Sequence, residues 1–380
     1  MSRLAQQMAR EFRSIWNDKA VLVTIVGGIL FYAILYPQPY LGDRPDEQPV
    51  VVVDLDRSTK SRQLIRWADA TQDVKISRRV GDLDSARRLL VEGEVRGILL
   101  IPAGFEKDLA LGRVPQVSLA GDANYFLVYG TVIEGLVGAV TAIGAESRVI
   151  QNLINGVPLH RAEADWSPIQ LHDQPLFNMS MGYLGYVVPA VFVLILQQTL
   201  LLAGGLLGAA RNEASLQQSS LELWARFLSL FSIYLVLAIF YMGICFEFYN
   251  VVRSADILQL SLLIAGFVAA STGLAIFLGV AIRRREHIAP VVLTSSLPFV
   301  FTAGFVWPME AIPETIRAVS QLVPSTAAIP AFLKLNQMNA EFLQVINHFV
   351  TLVALALAYM AAAEWLARRQ LTANRYSKRT

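Results

Sequence analysis

Two carboxylates set two residues apart, Asp54 and Asp56, are the first groups in the chain that could bind a metal ion or exchange a proton. They follow a run of four valines at 50–53 and precede an amphipathic stretch that begins at Ser58. A buried strand that ends at a capped helix gives the same pattern without any chemistry. We favour this structural interpretation, and the metal or catalytic one stays open.

Other reactive side chains lack the spacing that chemistry requires. His160 and His172 share a polar linker without metal-ligand spacing, and we interpret them as solvated loop residues. Cys245 is the only cysteine, so neither an internal disulfide nor a thiolate metal site can form. No lysine follows a glycine, as a phosphate-binding P-loop would require. The sequence therefore predicts no catalysis, and energy for any work must come from a partner or an ion gradient.

Six long apolar runs dominate the rest of the chain. Of its 380 residues 54% are hydrophobic and 16% charged, which is too apolar for an ordinary soluble domain and too charged for a protein that is all membrane. The runs contain no Asp, Glu, Lys or Arg and predict membrane spans: residues 20–36, 183–210, 227–246, 257–282, 288–309 and 342–363. Gln197, Gln198, Asn347 and His348 could line a polar pathway within them, although hydrogen bonding between helices is the commoner use.

Arginine and lysine residues at the ends of these runs predict their orientation. Placing the ends alternately puts the N-terminal cations, Arg211, Arg226, residues 283–285 and the C-terminal tail on one side. Burying the three arginines at 283–285 in mid-bilayer would cost roughly 8–10 kcal/mol, so they mark an aqueous boundary. Both termini are therefore predicted to be cytoplasmic, with residues 37–177 outside.

The segment between the first two runs predicts a separate folded domain. Apolar strips at 50–53, 97–102 and 116–120 predict strands, and amphipathic stretches between them predict helices. A long pattern at 124–154 predicts a helix that returns toward the membrane. The expected fold is a polytopic α-helical membrane protein of about six spans with an inserted extracytoplasmic α/β domain.

The segment before the last run, residues 308–341, is too apolar for a free loop and too broken by proline for a span. Backbone that enters the membrane at such breaks must be covered by protein or water. We therefore predict a re-entrant helical hairpin in the outer leaflet, marked by Gly304, Pro308, Glu310, Pro313, Glu314 and Pro324.

This segment resembles the one that precedes the last span in the permease subunits of type-2 ABC exporters. The order Gly-Phe, Pro, Pro-Glu, Leu, Val-Pro in residues 303–326 carries the resemblance, and strips at 51–58, 92–102 and 104–106 are similar to the branch with a large periplasmic domain between the first and second spans. The resemblance covers nearly the whole chain. The expected organisation is a cytoplasmic amphipathic elbow helix at 1–19, a first span at 20–36, a periplasmic α/β domain at 37–177, a five-span membrane domain at 178–366 and a cytoplasmic basic tail at 367–380.

In that family the loop between spans two and three forms a coupling helix that docks on the ATPase, and here it corresponds to residues 211–222. The resemblance implies coupling roles for Arg211, Asn212, Glu213, Ser215 and Gln217. Arg211 and Glu213 fit the family's pattern, whereas Ala214-Ser215 and Gln217 replace its Gly-Thr and later Glu. An ordinary polar turn is the alternative.

The resemblance implies a subunit that exports an amphiphilic or drug-like solute from the cytoplasm or inner leaflet. ATP and Mg would be bound by a separate ABC ATP-binding subunit, so this chain would hold no cofactor and would not be an enzyme. Further partners would be a second permease subunit, in a homo- or heterodimer, a periplasmic membrane-fusion adaptor protein and the lipid of a bacterial inner membrane, with no nucleic acid.

Two other classes of protein stay open from the sequence. A gradient-driven transporter usually needs ionisable groups inside its spans, and the apolar runs contain only one histidine. A membrane-anchored sensor or scaffold with a ligand-binding periplasmic domain would need a cytoplasmic output domain or a partner to receive its signal.

Overall fold

The computed structural model describes residues 3–42, 45–166, 176–178, 182–214 and 218–377. The chain divides into two compact units. Met1–Leu41 and Tyr183–Thr380 form the helical unit, and Gly42–Gly182 form the sheet unit. Three residues considered above, His172, Ser215 and Gln217, lie outside the described residues.

The sheet unit contains a four-stranded mixed sheet with the strand order β2-β1-β3-β4. The strands are β1 (Gln48–Asp54), β2 (Val74–Val80), β3 (Gly97–Ile101) and β4 (Ser118–Gly121). Strand β1 is parallel to β2 and β3, and β4 is antiparallel to β3. A small sheet region beside the helical part was predicted and is confirmed. The sequence pattern does not predict β2, because this edge strand is mostly polar and exposed.

Helices cover both faces of the sheet. They are α3 (Thr59–Asp69), α4 (Leu83–Val91), α5 (Phe105–Ala110) and α6 (Phe126–Ile154), and a further helix, α7 (Leu159–Trp166), packs against α6. On one face Val50 and Val52 belong to a core that includes residues of α3 and α6, and on the other Val51 and Val53 pack with Ala86 of α4. All four valines are fully buried. A strand covered on both faces is apolar at every position, which explains the unbroken valine run.

The helical unit consists of nine helices among the described residues. These are α1 (Arg3–Asn17), α2 (Lys19–Tyr40), α8 (Val187–Glu213), α9 (Ser220–Phe248), α10 (Ile257–Ala281), α11 (Ile288–Thr302), α12 (Glu314–Ser320), α13 (Pro324–Asn336) and α14 (Phe342–Ser377). Helices α2 and α9 each include one π-helical turn, at Val23–Gly28 and Phe240–Cys245. Short 3₁₀ turns precede α11 and α12, at Arg285–His287 and Met309–Ala311.

Six helices in the described part of the chain are long and apolar enough to cross a membrane: α2, α6, α8, α9, α10 and α14. Five of them coincide with predicted spans, so the expectation of about six spans is confirmed. The extent predicted for the span at 288–309 is wrong, because α11 ends at Thr302 after 15 residues. At 1.5 Å per residue α11 is about 22 Å long, which is shorter than a hydrocarbon core of about 30 Å.

Whether α6 crosses a membrane follows from where the chain leaves and rejoins the helical unit. Tyr40, at the end of α2, packs edge to face against Tyr183, just before α8, with ring centroids 6.0 Å apart. Residues 42–182 therefore leave and rejoin the helical unit at one end. A single membrane crossing by α6 would separate Tyr40 from Tyr183, so we assign the apolar face of α6 to the sheet, where Val132 and Leu136 are buried.

Helices α8 and α10 form the centre of the helical unit. In their most apolar 18-residue windows 78% and 72% of residues are buried, against 28% in α2 and in α14. Gly208 and Gly279 bring the two backbones into contact, because a methyl group added at Gly208 would lie 2.6 Å from the Cα of Gly279. Small residues allow such close helix packing inside membranes.

Candidate functional site

A group of charged and amide side chains lies where α1, α8 and α9 meet. We call it the charged junction, and its members are Glu11, Arg211, Gln218, Glu222 and Arg226. The carboxylate of Glu11, a residue only 2% exposed, lies at the centre. Its Oε1 lies 2.6 Å from Nη2 of Arg211, and its Oε2 lies 3.3 Å from Nε of the fully buried Arg226. One carboxylate therefore joins the N-terminal helix to two other helices.

The other members of the charged junction bind the two arginines. Nη1 of Arg211 lies 3.2 Å from Oε1 of Glu222, and Nη1 of Arg226 donates to Oε1 of Gln218 at 2.9 Å. Two arginines thus face two glutamates, and their formal charges cancel. Because a buried charge that loses its partner is strongly unfavourable, each group fixes the position of the others.

The first turn of α9 is held by its own sequence. Ser219 and Glu222 form a capping box, in which the hydroxyl of Ser219 accepts from the N–H of Glu222 at 3.3 Å and Oε2 of Glu222 accepts from the N–H of Ser219 at 2.9 Å. The box satisfies two backbone donors that a helix start leaves free. The second oxygen of Glu222 binds Arg211, so one carboxylate serves both the helix cap and the charged junction.

The predicted coupling residues Arg211, Asn212 and Glu213 form the last turn of α8 rather than a loop. Nδ2 of Asn212 lies 3.0–3.2 Å from three carbonyl oxygens at the end of α10. Oε1 of Glu213 accepts from the backbone N–H of Arg285 at 2.6 Å. The carbonyls at a helix end have no partner within the helix, so Asn212 both satisfies them and ties α8 to α10.

Asp18 extends this arrangement to the start of α2. Its Oδ1 accepts from the backbone N–H groups of Ala20 and Val21, and its Oδ2 lies 2.6 Å from Nη2 of Arg285. Burial alone would raise the pKa of Asp18, but the hydrogen bond from Arg285 and the backbone N–H groups outweigh it and hold the pKa below its usual range. The carboxylate is therefore charged at neutral pH and fixes the loop after α10 to the first span.

The last helix, α14, also contacts the end of α10. Nε2 of Gln370, in α14, donates to the carbonyl of Val280 near the end of α10 at 3.2 Å. The starts of α2, α9 and α11 and the ends of α8, α10 and α14 therefore meet at one end of the helical unit, which we call the junction end. Arg211, Arg226 and Arg285, three of the cations that the sequence predicts to lie on one membrane face, are found there.

A family model described as "ABC-2 family transporter protein" matches residues 19–364. The chain belongs to this family. It is also similar to the inner membrane transport permease YhhJ of Escherichia coli (strain K12) and to that of Shigella flexneri. Each is 22% identical to it over an alignment that covers 93% of this chain and 94% of the relative. The chain is therefore a multi-pass membrane protein and a membrane subunit of an ABC transporter, and its partner is an ABC ATP-binding subunit.

In this ABC-2 permease the predicted hairpin residues lie outside the charged junction. Pro308 and Pro313 each precede a helical turn, and Pro324 is the first residue of α13. Gly304 has a φ of +79°, a left-handed conformation that favours glycine. Four of the residues are exposed to solvent or lipid: Pro308, Glu310, Pro313 and Glu314.

The acidic pair of the sheet unit has a structural role. Oδ1 of Asp54 accepts from the backbone N–H groups of the two residues that follow Leu55, at 3.1 and 2.9 Å. Asp56 accepts from the N–H groups of Gly104 and Glu106 at 2.8 and 3.0 Å and so caps α5. Burial would raise the pKa of Asp56, but the Ser58 hydroxyl and these N–H groups hold it below its usual range. Among the described residues no cluster of three or more potential metal ligands occurs.

Gln197 makes the contact between helices that is the commoner use of such a residue. It is fully buried, and its Oε1 accepts from the backbone N–H of Ser325 at 2.8 Å. The residue before α13, Val323, provides no side-chain cap, so Gln197 caps this helix from α8. No hydrogen bond among the described residues joins Gln197 to Asn347 or His348.

The sequence contained a signal for Glu11 that the search for motifs missed. Leu4, Met8, Glu11 and Ile15 follow the spacing of one helix face, and this face of α1 is the less exposed one. A carboxylate within an apolar stripe predicts a buried cationic partner. That partner, Arg226, has the pattern of a boundary cation before a span, whereas the structure places it inside α9 and out of water.

Proposed function

We propose that this permease is the membrane-spanning subunit of a type-2 ABC exporter and moves an amphiphilic or drug-like solute out of the cytoplasm or the inner leaflet. It works as a homo- or heterodimer, and the separate ABC ATP-binding subunit binds ATP and Mg. The charged junction carries this proposal, because it joins α1 to both helices that flank residues 214–219. These residues belong to the coupling segment 211–222, where the ATP-binding subunit docks.

The contacts of the charged junction explain how movement of the ATP-binding subunits reaches the membrane helices. A push on residues 214–219 acts on the end of α8 and the start of α9, which Arg211, Glu222 and Arg226 connect through Glu11 to α1. Pulling Glu11 away from Arg226 would leave a buried ion unpaired, at a cost of roughly 3–5 kcal/mol. The three helices therefore move together, and the spans α8 and α9 rock as the ATP-binding subunits close.

The orientation we propose puts the junction end, with both chain termini, in the cytoplasm of a bacterium and the permease in its inner membrane. Cations prefer the cytoplasmic face of such proteins, and Arg211, Arg226 and Arg285 are all at the junction end. The contact between Tyr40 and Tyr183 supports a periplasmic position for the sheet unit, since both connections to it leave the opposite end. A periplasmic membrane-fusion adaptor protein is the partner proposed for the sheet unit.

We also propose that α12 and α13 form a re-entrant hairpin. Gln197, near the middle of α8, caps the start of α13, and the hydroxyl of Tyr359, near the middle of α14, donates to the carbonyl of Leu322. Asn336, at the end of α13, accepts from the N–H of Ser254 beside the outer ends of α9 and α10. These contacts support a turn between α12 and α13 at mid-depth and an end of α13 at the outer surface, as a re-entrant segment requires.

The docking assignment is tested with the variant that carries both Arg211→Ala and Glu213→Ala. Tagged permease is purified from cells together with the ABC ATP-binding subunit that accompanies the unmodified chain. We expect the double variant to retain less than about a tenth of that subunit, because three charge-assisted contacts that fix the end of α8 are lost. Unchanged co-purification would contradict docking at this segment.

Transmission is tested separately with Glu11→Gln. Glutamine keeps the shape of the side chain but removes the charge that both arginines share, so we expect the ATP-binding subunit to remain bound while its ATPase activity loses most of its dependence on transported solute. Glu364→Gln is the matched control, since Glu364 also pairs with an arginine but lies outside the charged junction. Equal solute dependence in the Glu11→Gln and Glu364→Gln complexes would overturn transmission through Glu11.

A further inference from the structure

The sheet unit contains a pocket of about 370 Å³ between the middle of α6 and the segment that follows α5. One wall is formed by Leu109, residues 112–115 and Val117, and the floor by one face of α6. The side chain of Gln151, on α6, donates to the carbonyl of Leu109 and ties the wall to the floor at one end of the pocket. The volume is within the range of pockets that hold small ligands.

Glycine keeps the floor of the pocket open. Gly144 lines the pocket, and a methyl group added there would meet no atom within 4 Å. Glycine in a helix interior destabilises it relative to alanine, and neither backbone conformation nor a close neighbour within the chain requires glycine at this position. A larger side chain at this position would extend into the open volume of the pocket.

The lining combines an apolar surface with positive charge. Val117, Val140 and Ile143 are among the apolar residues, and the ionised side chains among the described residues of the lining are those of Arg113 and Arg148. Arg113 lies 3.6 Å from Asp108, which partly neutralises it. Arg148 forms no ion pair with any residue that the structure describes. Within the part of the chain that the structure describes, the pocket therefore offers a cation without a carboxylate partner beside an apolar trough.

We propose that this pocket binds an amphiphile with a single anionic head group. Its apolar chain lies along Val117, Val140 and Ile143, and its head group pairs with Arg148 and Arg113. Guanidinium groups suit carboxylate, sulfate and phosphate heads alike, because their donors match pairs of anionic oxygens. The site belongs to the sheet unit and stands whether or not the coupling through the charged junction holds.

Protection of an engineered cysteine tests the proposal on the full-length protein in phosphatidylcholine nanodiscs. Thr141, which lines the pocket and is exposed, is replaced by Cys in a Cys245→Ala background, and its rate of reaction with a maleimide is measured. Decanoate, 1-decanol and decyltrimethylammonium are the probes. We expect decanoate to slow the reaction at least several-fold and the neutral and cationic probes to leave it nearly unchanged.

Matched variants show whether protection comes from this pocket. Replacing Arg113 and Arg148 together by Gln should raise the decanoate concentration for half-protection about tenfold or more, since charge-assisted hydrogen bonds are lost. Gly144→Leu should abolish protection, and Gly138→Leu should not, because Gly138 is equally unobstructed on α6 but does not line the pocket.

Equal protection by 1-decanol, or protection that survives Gly144→Leu, would overturn the proposal. So would equal slowing at Val91→Cys, an exposed position on α4, because the bilayer rather than the pocket would then be responsible.

Discussion

At the scale of single residues, the charged junction combines burial with charge in a way that makes its members depend on one another. Arg226 has no exposed surface, and Glu11 has almost none. Removing one member of such a pair leaves the other without compensation in a medium that solvates it poorly, whereas removing both is often far less harmful. The stability of this end of the permease should therefore respond to combinations of substitutions rather than to each alone.

Arg226→Met is the sharpest test of this dependence. Methionine fills a similar space but leaves Glu11 with one cation, so we expect a loss of about 3 kcal/mol or more of stability. Glu11→Gln with Arg226→Met should lose clearly less than the sum of the two single variants. Thermal denaturation of detergent-purified protein, followed by size-exclusion chromatography, measures both effects.

The control for this measurement is Arg368→Met. Arg368 also pairs with a glutamate, Glu364, but its side chain is 70% exposed, and exposed ion pairs contribute little. We expect its denaturation temperature to stay close to that of the unmodified chain. If Arg226→Met is no more harmful than Arg368→Met, the buried ion pairs do not stabilise the junction end.

Sequence reasoning identified some of these residues and misjudged others, for a physical reason. Arg211 and Glu213 stand out because they interrupt an apolar pattern, and the structure places both in contacts that hold α8. Glu11 and Arg226 were harder to recognise, because a charge looks the same in sequence whether it meets water or a buried partner. Only the packing of α1 on α9 distinguishes the two cases.

At the scale of elements, α8 and α10 depend on glycine for their separation. Backbone atoms of the two helices lie so close at Gly208 and Gly279 that a Cβ at either position would overlap the other helix. Lipid offers no hydrophobic drive for helices to associate, so close van der Waals contact of this kind supplies much of the binding. The most buried pair of helices in the unit therefore rests on two residues without side chains.

Gly208→Ala should consequently force α8 and α10 apart. We expect a loss of about 1–3 kcal/mol, the usual range for overpacking, measured as a lower midpoint of thermal denaturation in detergent. Gly243→Ala provides the comparison, since Gly243 lies in the π turn of α9 with nothing within 4 Å of an added methyl group. Alanine is the better helix former where space is open, so Gly243→Ala should not destabilise. An unchanged denaturation midpoint for Gly208→Ala would show that the helices can separate freely.

Element prediction succeeded where one physical force dominated. Unbroken apolar runs predicted α2, α8, α9, α10 and α14, because transfer into lipid alone decides whether such a segment spans. Helix α11 was predicted too long, since the apolar sequence continues past Thr302 after the helix has ended. Helix α6 shows that an apolar composition alone does not identify a span. An apolar helix that covers a sheet has much the same composition as one that meets lipid.

At the scale of the whole molecule, contacts between the ends of helices show how often the chain passes through the helical unit. α2 starts at the junction end, and its last turn meets Tyr183 before α8 at the opposite end. α11 starts at the junction end, yet Asn336 bonds to Ser254 and Val252 at the opposite end, so α11 to α13 together carry the chain across. α14 returns it to the junction end. We therefore expect six passes, although α11 alone is too short for a span.

An even number of passes predicts that both termini lie on one side of the membrane and the sheet unit on the other. Single cysteines at Ala9, Val91 and Thr372, all exposed positions in a Cys245→Ala background, report this through a maleimide that does not cross membranes. We expect Val91→Cys to react in intact spheroplasts, and Ala9→Cys and Thr372→Cys only after permeabilisation, because the cations of the junction end resist transfer across the bilayer. Reaction of Thr372→Cys from outside would mean that α11 to α13 do not complete a crossing. Reaction of Ala9→Cys and Val91→Cys from the same side would remove α2 as a span and, with it, the separation between the sheet unit and the ATP-driven end.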